Sequence, residues 1–461
     1  MCLTSHRNPN RNWLFFVHSM YFLLFFFGFL SNSHLQRPGS GAIAMNISRT
    51  ALRRLAPSVR CRLTPFDKRA IGGSFQFLQA LQARRTETKN IRPSVVSSSC
   101  LTSGGSRGLH NISTHPAASD GGLKASAAKY PPWSPPVKGI LSKLPLSLVP
   151  YAELSRIEKP GGLYGFYMAY LIGLGYGACI AAPGPALAFV AVTAGKLLVY
   201  NVFLRGAACT VNDVLDREYD KQVARCRSRP VARGAVTPYQ GYVWYGLQTL
   251  GAGAAIATLP NPLTMLAYAV PIQLSVSLYP LGKRFTDFPQ LILGAPIAGG
   301  VLMSAAAIGV DPFITPATAA ATASLFMSHY IWTTIFDYVN ACQDTADDIK
   351  AGVRSMAVLY QNTDAFISVL GAAQVGCLIA TGALAGFSPI YFIGAAGGNA
   401  MWLAAMVKTV KRSRPDICGW WFAWGGLLVS GTTVLALLAE YAYIGRSGAA
   451  DEHMETEAIE I

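Results

Sequence analysis

The sequence predicts an all-α, polytopic membrane protein, and three observations support that fold class. The 461 residues are 52% hydrophobic, only 13% are charged, and 44 are glycine. Low charge with many small residues is typical of helical membrane proteins. From about residue 161 onward, apolar segments of membrane length alternate with short loops. Because backbone groups in lipid must be hydrogen-bonded within their own segment, we expect a bundle of helices.

Nine apolar segments are long enough to cross a membrane, so we expect nine transmembrane helices. They lie at roughly 161–183, 186–208, 240–259, 262–280, 289–310, 315–339, 364–387, 389–410 and 419–444. The loops after the second, fourth, sixth and eighth segments carry Lys and Arg, whereas the alternate loops carry none. The positive-inside rule therefore places all basic loops on one face, which is cytosolic or faces the mitochondrial matrix.

Residues 1–140 form an N-terminal extension of different composition. Trp13–Leu30 is apolar enough for a signal anchor or a short spanning helix. Met45–Arg107 is rich in Arg and Ser and poor in acids, as mitochondrial transit peptides are. These signals conflict, and translation that starts at Met45 instead of Met1 would resolve the conflict. Residues 108–140 are predicted to be a disordered linker.

We therefore place a single membrane domain at 141–445 and an acidic tail at 446–461. The net charge of +15 arises from the extension and from the loops of one face. No soluble module carries a basic patch, so nucleic acid is not an expected partner. The nine cysteines form no CxxC pair, which favours small apolar fillers in a reducing compartment over structural zinc.

Two acidic clusters are the strongest chemical signal in the sequence. The first, in VNDVLDREYD, places Asp213, Asp216 and Asp220 at steps of three and four, so a helix stacks them on one face. The second, in ACQDTADDIKAG, repeats helical spacing with three more aspartates, which are Asp344, Asp347 and Asp348. Each cluster ends a membrane-length segment on the basic face. A carboxylate is costly at the edge of hydrocarbon, and its default interpretation is a functional site.

Carboxylate oxygens of this kind suit Mg²⁺ ions that hold a diphosphate. We expect all six aspartates to bind metal and five of them to be catalytic, namely Asp213, Asp216, Asp220, Asp344 and Asp348. Polar neighbours are expected to bind the diphosphate; they are Asn212, Arg205, Lys221, Arg225, Arg229, Lys283, Arg284 and Lys350. The alternative is a pair of solvated, salt-bridged loops. The recurrence of acids in helical register argues against it.

A third group is expected to line a substrate cavity beside these clusters; it consists of Arg156, Lys159, Tyr279, Phe285 and Asp337. Tyr279 and Phe285 belong to the segment YPLGKRFTDFPQ, and an aromatic face there can stabilise an allyl cation. An interfacial aromatic belt is the alternative for both rings. Asp337 either binds a metal ion or orients a metal ligand from outside the metal site. Alternatively, it neutralises a base on a neighbouring helix.

At these residues the chain resembles the UbiA superfamily of membrane prenyltransferases. NDVLDREYD matches the NDxxDxxxD motif of that family, and DTADD matches its second aspartate-rich motif. YPLGKRFTDFPQ matches the basic segment of members that prenylate aromatic rings, and RIEKPGG is similar to RxDKPxG, with Glu158 in place of Asp. The resemblance covers about 145–445. It implies nine transmembrane helices around a central cavity, two Mg²⁺ ions, a polyprenyl diphosphate donor and a phenolic aromatic acid as acceptor.

Two branches of the family remain open. RGAACTVND and ACQDTADDIKAGVRSMAV resemble fungal enzymes that attach farnesyl-type chains to phenolic acids in meroterpenoid pathways, which favours an internal membrane such as the ER or Golgi. PYAELSRIEKPGG and the transit-like extension favour a 4-hydroxybenzoate polyprenyltransferase of ubiquinone synthesis in the mitochondrial inner membrane. A transporter is the alternative from another class. It would need ionisable residues near mid-span, whereas these acids lie at span ends.

Overall fold

The computed structural model describes residues 132–181 and 184–460. Within these ranges all regular structure is helical, which confirms the predicted all-α class. The predicted signal anchor, the transit-like segment and the choice between Met1 and Met45 lie outside the described residues. The last part of the predicted linker, 132–140, contains no helix. Its Trp133 donates a hydrogen bond to Glu153 (2.8 Å) and lies under the Arg233 guanidinium, 4.3 Å from the ring centroid.

Thirteen helices follow a single 3₁₀ turn at Leu141–Lys143 in the described part of the chain. In chain order they are α1 Val149–Leu154, α2 Pro160–Ile180, α3 Leu187–Leu215, α4 Arg217–Asp220, α5 Pro238–Ala257, α6 Pro262–Phe285, α7 Pro289–Ala307, α8 Pro316–Cys342, α9 Thr345–Ala351, α10 Met356–Leu359, α11 Thr363–Ala385, α12 Pro389–Thr409 and α13 Pro415–Gly445, which continues to Glu460. Helices α12 and α13 include the π-helical segments Phe392–Gly397 and Gly426–Ser430.

Seven of these helices are long and apolar enough to cross a membrane: α2, α3, α6, α7, α11, α12 and α13. Helices α5 and α8 coincide with two further predicted spans, but they do not meet the same criterion of length and hydropathy. The polytopic class is therefore confirmed, and the number nine stays a prediction. Helix α3 extends to Leu215, beyond the apolar segment expected at 186–208. The extra two turns carry Asp213, the first acidic residue of the site.

Local sequence explains where many of these helices begin. Seven of the long helices described here have proline in the first turn, where its missing N–H costs no hydrogen bond. Thr237 and Thr315 add capping boxes to α5 and α8, each accepting from a main-chain N–H three residues on. Proline therefore starts a new helix soon after the preceding one ends, and most connections between the long helices are short.

Helices α2 and α7 form the centre of the bundle. Their apolar windows are 67% and 72% buried, against 33–39% in the other five candidate spans. Small residues allow their close approach: a Cβ on Gly173 would lie 2.1 Å from the Val301 carbonyl oxygen and 2.2 Å from Ser304 Oγ. Close contact between small residues is how membrane helices gain packing energy.

We expect Gly173→Ala to destabilise the bundle by about 1–3 kcal/mol, because the added methyl group meets rigid backbone of α7. Thermal unfolding of the purified protein in detergent measures the effect. Gly376→Ala in α11 is the matched control, since a Cβ there meets no described atom within 4 Å. An equal melting temperature for both variants would contradict the close contact of α2 with α7.

Candidate active site

Four chain segments meet at one end of the bundle. They are the turn before α2, the end of α3 with the loop that follows, the end of α6, and the end of α8 with α9. Three ion pairs join them: Arg156 Nη2 to Asp213 Oδ1 at 2.6 Å, Lys283 Nζ to Asp216 Oδ2 at 2.7 Å, and Arg225 Nη2 to Asp344 Oδ2 at 2.5 Å. The two acidic motifs expected to share a site are thus brought together.

The first acidic motif is almost completely buried. Asp213, Asp216 and Asp220 are 0%, 1% and 5% exposed. The helix does not run unbroken through them, because α3 ends at Leu215 and the short α4 follows. The i to i−4 hydrogen bonds nevertheless continue from Asp216 N to Asn212 O (2.9 Å) and from Asp220 N to Asp216 O (2.8 Å). The stacking expected from the spacing is therefore kept.

Arg229 links two carboxylates of this motif. Its Nη1 lies 2.9 Å from Asp220 Oδ2 and 3.4 Å from Asp213 Oδ1. Burial raises the pKa of Asp220, whereas the Arg229 charge opposes that rise. A guanidinium between two buried carboxylates lowers their mutual repulsion. Arg229 thus lies within the charged cluster, and its expected contact with a diphosphate stays a prediction.

The second acidic motif is tied to the loop that follows α4. Arg225 binds Asp344 in a bidentate manner, with Nε 2.9 Å from Oδ1 and Nη2 2.5 Å from Oδ2. The main-chain N–H of Ala224 donates to Asp347 Oδ2 (3.1 Å). Asp348 is also buried, and burial together with the Asp344 charge raises its pKa to about 7. Two adjacent residues, Ala224 and Arg225, therefore fix the second motif against the loop that follows the first motif.

Tyr279 and Asp337 contact one another beside this cluster. The Tyr279 hydroxyl donates to Asp337 Oδ2 (3.2 Å), and Lys283 Nζ lies 5.9 Å from the tyrosine ring centroid. Tyr279 is thus joined to the site and is not part of an exposed aromatic belt. Of the two roles considered for Asp337, orientation of a neighbouring group agrees with this contact.

Several predicted site residues lie elsewhere. Lys221 Nζ pairs with the exposed Glu218 at 2.9 Å, and Lys350 is exposed on α9. Phe285 is 57% exposed. Lys159 is exposed, with Nζ 3.7 Å from Glu158. Spacing in the sequence did not reveal these directions. Lys159 and Lys221 flank helix ends, and Phe285 and Lys350 lie in the last turns of α6 and α9.

Two predicted phosphate-binding arginines donate to main-chain carbonyls. Arg284 Nη2 donates to Leu215 O (2.6 Å), at the end of α3. Arg205 donates to Arg156 O (2.8 Å) and to Lys159 O (2.5 Å). Both guanidinium groups therefore support the surrounding loops, and their expected contact with a diphosphate stays a prediction.

Arg354 is a structural contributor that the sequence analysis did not place in the site. It forms a bidentate pair with Asp287, at 3.0 and 2.8 Å, and its Nη1 donates to Phe285 O (2.9 Å). Its main-chain N–H donates to Lys283 O (3.3 Å). The end of α6 is therefore fastened to the turn after α9. In the sequence, Arg354 was recognisable only as one residue of a basic loop, and that position did not reveal its partner.

The donor atoms at the site suit a hard cation. Three buried side-chain oxygens of the site have no hydrogen-bond partner among the described residues: Asn212 Oδ1, Asp213 Oδ2 and Asp216 Oδ1. Oxygen ligands of this type are those that Mg²⁺ prefers. Within the described ranges, however, no three His, Cys, Asp or Glu side chains are already arranged as a metal cluster. The oxygen atoms of the site are therefore of the kind that binds Mg²⁺. In this structure the carboxylates contact cationic side chains.

One ionisable side chain lies near mid-span. His329 is buried halfway along α8, and its Nε2 has no hydrogen-bond partner in the part of the chain that the structure describes. It borders a small cavity together with Gln374 and Asn399, whose amides are hydrogen-bonded at 2.9 Å. The carboxylates, in contrast, gather at one end of the bundle, as the sequence predicted.

The fold and the site define an integral-membrane enzyme whose charged groups gather at one end of a helical bundle. Residues 168–436 match the model of the UbiA prenyltransferase family, so the chain belongs to that family. This result confirms the resemblance seen in the motifs and the expected class of membrane prenyltransferase. It also favours prenyl transfer over the transporter alternative.

Curated relatives include enzymes of both expected branches. The prenyltransferase ascA of Acremonium egyptiacum is 37% identical, and the match covers 60% of this chain and 82% of that protein. The mitochondrial 4-hydroxybenzoate polyprenyltransferase of Saccharomyces cerevisiae is 36% identical, with 61% and 74% covered. The DMOA farnesyltransferase nvfB of Aspergillus novofumigatus is 34% identical, with 66% and 94% covered. Sequence identity therefore does not choose between the branches.

The raised pKa of Asp348 predicts a pH dependence of stability. Folded Asp348 keeps its proton up to about pH 7, whereas an unfolded aspartate loses it near pH 4, so its ionisation opposes folding between these values. The melting temperature of the wild type should therefore fall relative to that of Asp348→Asn as the pH rises from about 5 to 8.

The measurement uses detergent solution with a chelator, so that no metal ion changes the titration. Asp364→Asn is the control, since Asp364 forms an exposed pair with Lys411. Its melting curve should follow that of the wild type at every pH. Parallel curves for the wild type and Asp348→Asn would contradict the raised pKa.

Proposed function

We propose that this protein transfers a polyprenyl group, farnesyl or longer, from its diphosphate to a ring carbon of a hydroxybenzoate-type phenolic acid. The observation that carries the proposal is the convergence of the two acidic motifs, with three orphaned buried oxygens and with Arg225, Arg229 and Lys283 among them. Membership of the UbiA prenyltransferase family supports the reaction class. The relatives of both branches support an aromatic acceptor.

Magnesium would be held by the aspartates of both motifs: Asp213, Asp216, Asp220, Asp344, Asp347 and Asp348. Bound there, it supplies positive charge that stabilises the leaving diphosphate. The chain itself supplies the rest of the positive potential. Arg225 and Arg229 offer guanidinium donors that match phosphate oxygens, and Lys283 offers a point charge. All three bases contact carboxylates of the two motifs, so they are positioned for an anion held at the site.

The proposed reaction breaks the C–O bond of the prenyl diphosphate, and the electron pair leaves with the diphosphate. The resulting allyl cation is attacked by the ring carbon ortho to the phenol hydroxyl. A C–C bond forms, and the ring then loses a proton from that carbon. The ring of Tyr279, beside Lys283, presents an aromatic face that stabilises the passing cation. Burial in the helical bundle keeps water away from the cation.

Within this class we favour the meroterpenoid branch, in an internal membrane with the site on its cytosolic side. The sequence ACQD at the second motif and LGAPIAGG in α7 depart from the pattern expected of ubiquinone enzymes. The second candidate is the 4-hydroxybenzoate polyprenyltransferase of the mitochondrial inner membrane. It is favoured by the Arg- and Ser-rich composition of Met45–Arg107.

Product analysis on membranes that express the full chain tests the assignment. With Mg²⁺ present, 4-hydroxybenzoate and an orsellinic-type acid compete, and farnesyl and long-chain polyprenyl diphosphates are both supplied. A farnesylated polyketide acid is the expected product. Long-chain prenylated 4-hydroxybenzoate would instead assign the protein to ubiquinone synthesis. No prenylated product from any combination would overturn the proposed function.

We expect Asp216→Asn to lower prenyl transfer by about 10²-fold or more, because it removes a buried charge next to the leaving group. Product formation at saturating Mg²⁺ and donor is the measurement. Asp364→Asn, which removes an exposed carboxylate at the start of α11, is the matched control and should keep wild-type turnover. Near-wild-type turnover in Asp216→Asn would refute the assigned role.

A further inference from the structure

Arg205 is a buried cation at this end of the bundle, and it donates hydrogen bonds to two main-chain carbonyls of one turn. It lies on α3 and is 7% exposed. Its Nη1 donates to Arg156 O and its Nη2 to Lys159 O, at 2.8 and 2.5 Å. Both acceptors belong to the turn between α1 and α2. A charged donor to a buried carbonyl forms a stronger hydrogen bond than a neutral one. Arg205 therefore fastens that turn to α3.

The fastened turn is conformationally strained. Arg156 has a φ of +54°, and Asn261 is the other non-glycine residue with positive φ in the described part of the chain. For residues with a Cβ this left-handed conformation costs about 1–2 kcal/mol. It persists only where surrounding contacts hold it. The contacts that hold it include the bonds from Arg205 and the bond from Arg156 Nη1 to Glu153 O (2.8 Å). The Ser155 hydroxyl also accepts from Trp244 and Gln248 of α5, and main-chain bonds close the turn.

The strained turn directs a charged group to the acidic site. From this conformation Arg156 extends its Nη2 to Asp213 Oδ1, at 2.6 Å. Asp213 is completely buried, and its other oxygen has no hydrogen-bond partner among the residues that the structure describes. The position of the Arg156 guanidinium thus depends on the turn, to which Arg205 contributes two hydrogen bonds.

Gly162 leaves the space that Arg205 needs. A Cβ on Gly162 would lie 2.9 Å from both Nε and Nη2 of Arg205. Even alanine at this position would therefore push the guanidinium away from the two carbonyls. The first turn of α2 and the Arg205 side chain of α3 therefore pack closely against one another at Gly162.

We propose that Arg205 is a positioning residue, which holds the Ser155–Lys159 turn in its left-handed conformation so that Arg156 reaches Asp213. The proposal rests on the proposed function of the site, and it assigns Arg205 no direct contact with the diphosphate. It also gives Gly162 a defined role, as the residue that admits the Arg205 guanidinium.

A labelling experiment tests the turn without any need for catalysis. Ile157 is 40% exposed and lies within the turn, so Ile157→Cys provides a site for maleimide. In this background Arg205→Met and Gly162→Ala should each speed labelling by about tenfold, because local opening of the turn becomes easier. The labelling rate of Arg205→Lys should lie between those of the wild type and Arg205→Met. An ammonium group keeps the charge but cannot donate in a bidentate manner as a guanidinium does. The same protein with Ile157 retained gives the contribution of the native cysteines.

Gly246→Ala in α5 is the matched control for Gly162→Ala, because a Cβ there meets no described atom within 4 Å. It should leave both labelling and turnover unchanged. If Gly162→Ala fails to fold, Arg205→Met and Arg205→Lys still decide the result. Unchanged labelling in Arg205→Met would overturn the proposal, whether or not prenyl transfer is detected.

A double-mutant cycle tests the link to the site. If Arg205 acts through Arg156, then Arg205→Met combined with Arg156→Met should lower kcat/KM for the donor no further than Arg156→Met alone. If Arg205 binds the diphosphate itself, the two effects should multiply, and the proposal fails. Faster labelling together with a complete lack of prenyl transfer in the wild type would retain the role of Arg205 in the turn and refute the proposed function instead.

Discussion

Burial of several carboxylates at one edge of a membrane bundle is the constraint on which this structure depends. An unpaired buried carboxylate is costly, and each one here must find a cation or a donor. Four bases, Arg156, Arg225, Arg229 and Lys283, are placed among six aspartates. The excess of acid leaves the site suited to a further cation. Because the bases come from different segments, the same ion pairs that balance charge also fix four chain segments against one another.

The basic residues of this face do two different jobs. One set pairs with the aspartates, whereas another donates to main-chain carbonyls at the ends of helices and in loops. Arg205 and Arg284 belong to the second set, as does Arg412, which donates to Ala357 O and Tyr360 O (2.6 Å each). Arg354 does both, since it pairs with Asp287 and donates to Phe285 O. The positive-inside pattern counts both sets alike, because it records charge and side of the membrane only. Fewer Arg and Lys side chains therefore face the site than the number of nearby bases suggests. The remaining bases stabilise the loops and helix ends around it.

Much of the fold and the core of the site could be predicted from local sequence. Hydropathy located the helices within a few residues, since a membrane-spanning segment must be apolar and about twenty residues long. Helical spacing grouped Asp213, Asp216 and Asp220 correctly, because i to i−4 bonding continues across the break after Leu215. The sequence did not reveal the directions of side chains at helix ends. Lys221, just after α4, and Phe285, the last residue of α6, both turn outward, because periodicity defines a face only where helical turns continue on both sides.

The sequence by itself determined the all-helical membrane class, the face that carries the charges and the six aspartates, because these follow from composition and short-range spacing. Only the tertiary structure decided which base meets which acid. Arg156 and Asp213 are 57 residues apart, and Arg225 and Asp344 are 119 apart. Such pairing depends on how separate helices pack, on the space left at Gly162, and on the left-handed turn at Arg156. Packing between distant segments has no periodic signature in one chain, so those contacts could be found only in three dimensions.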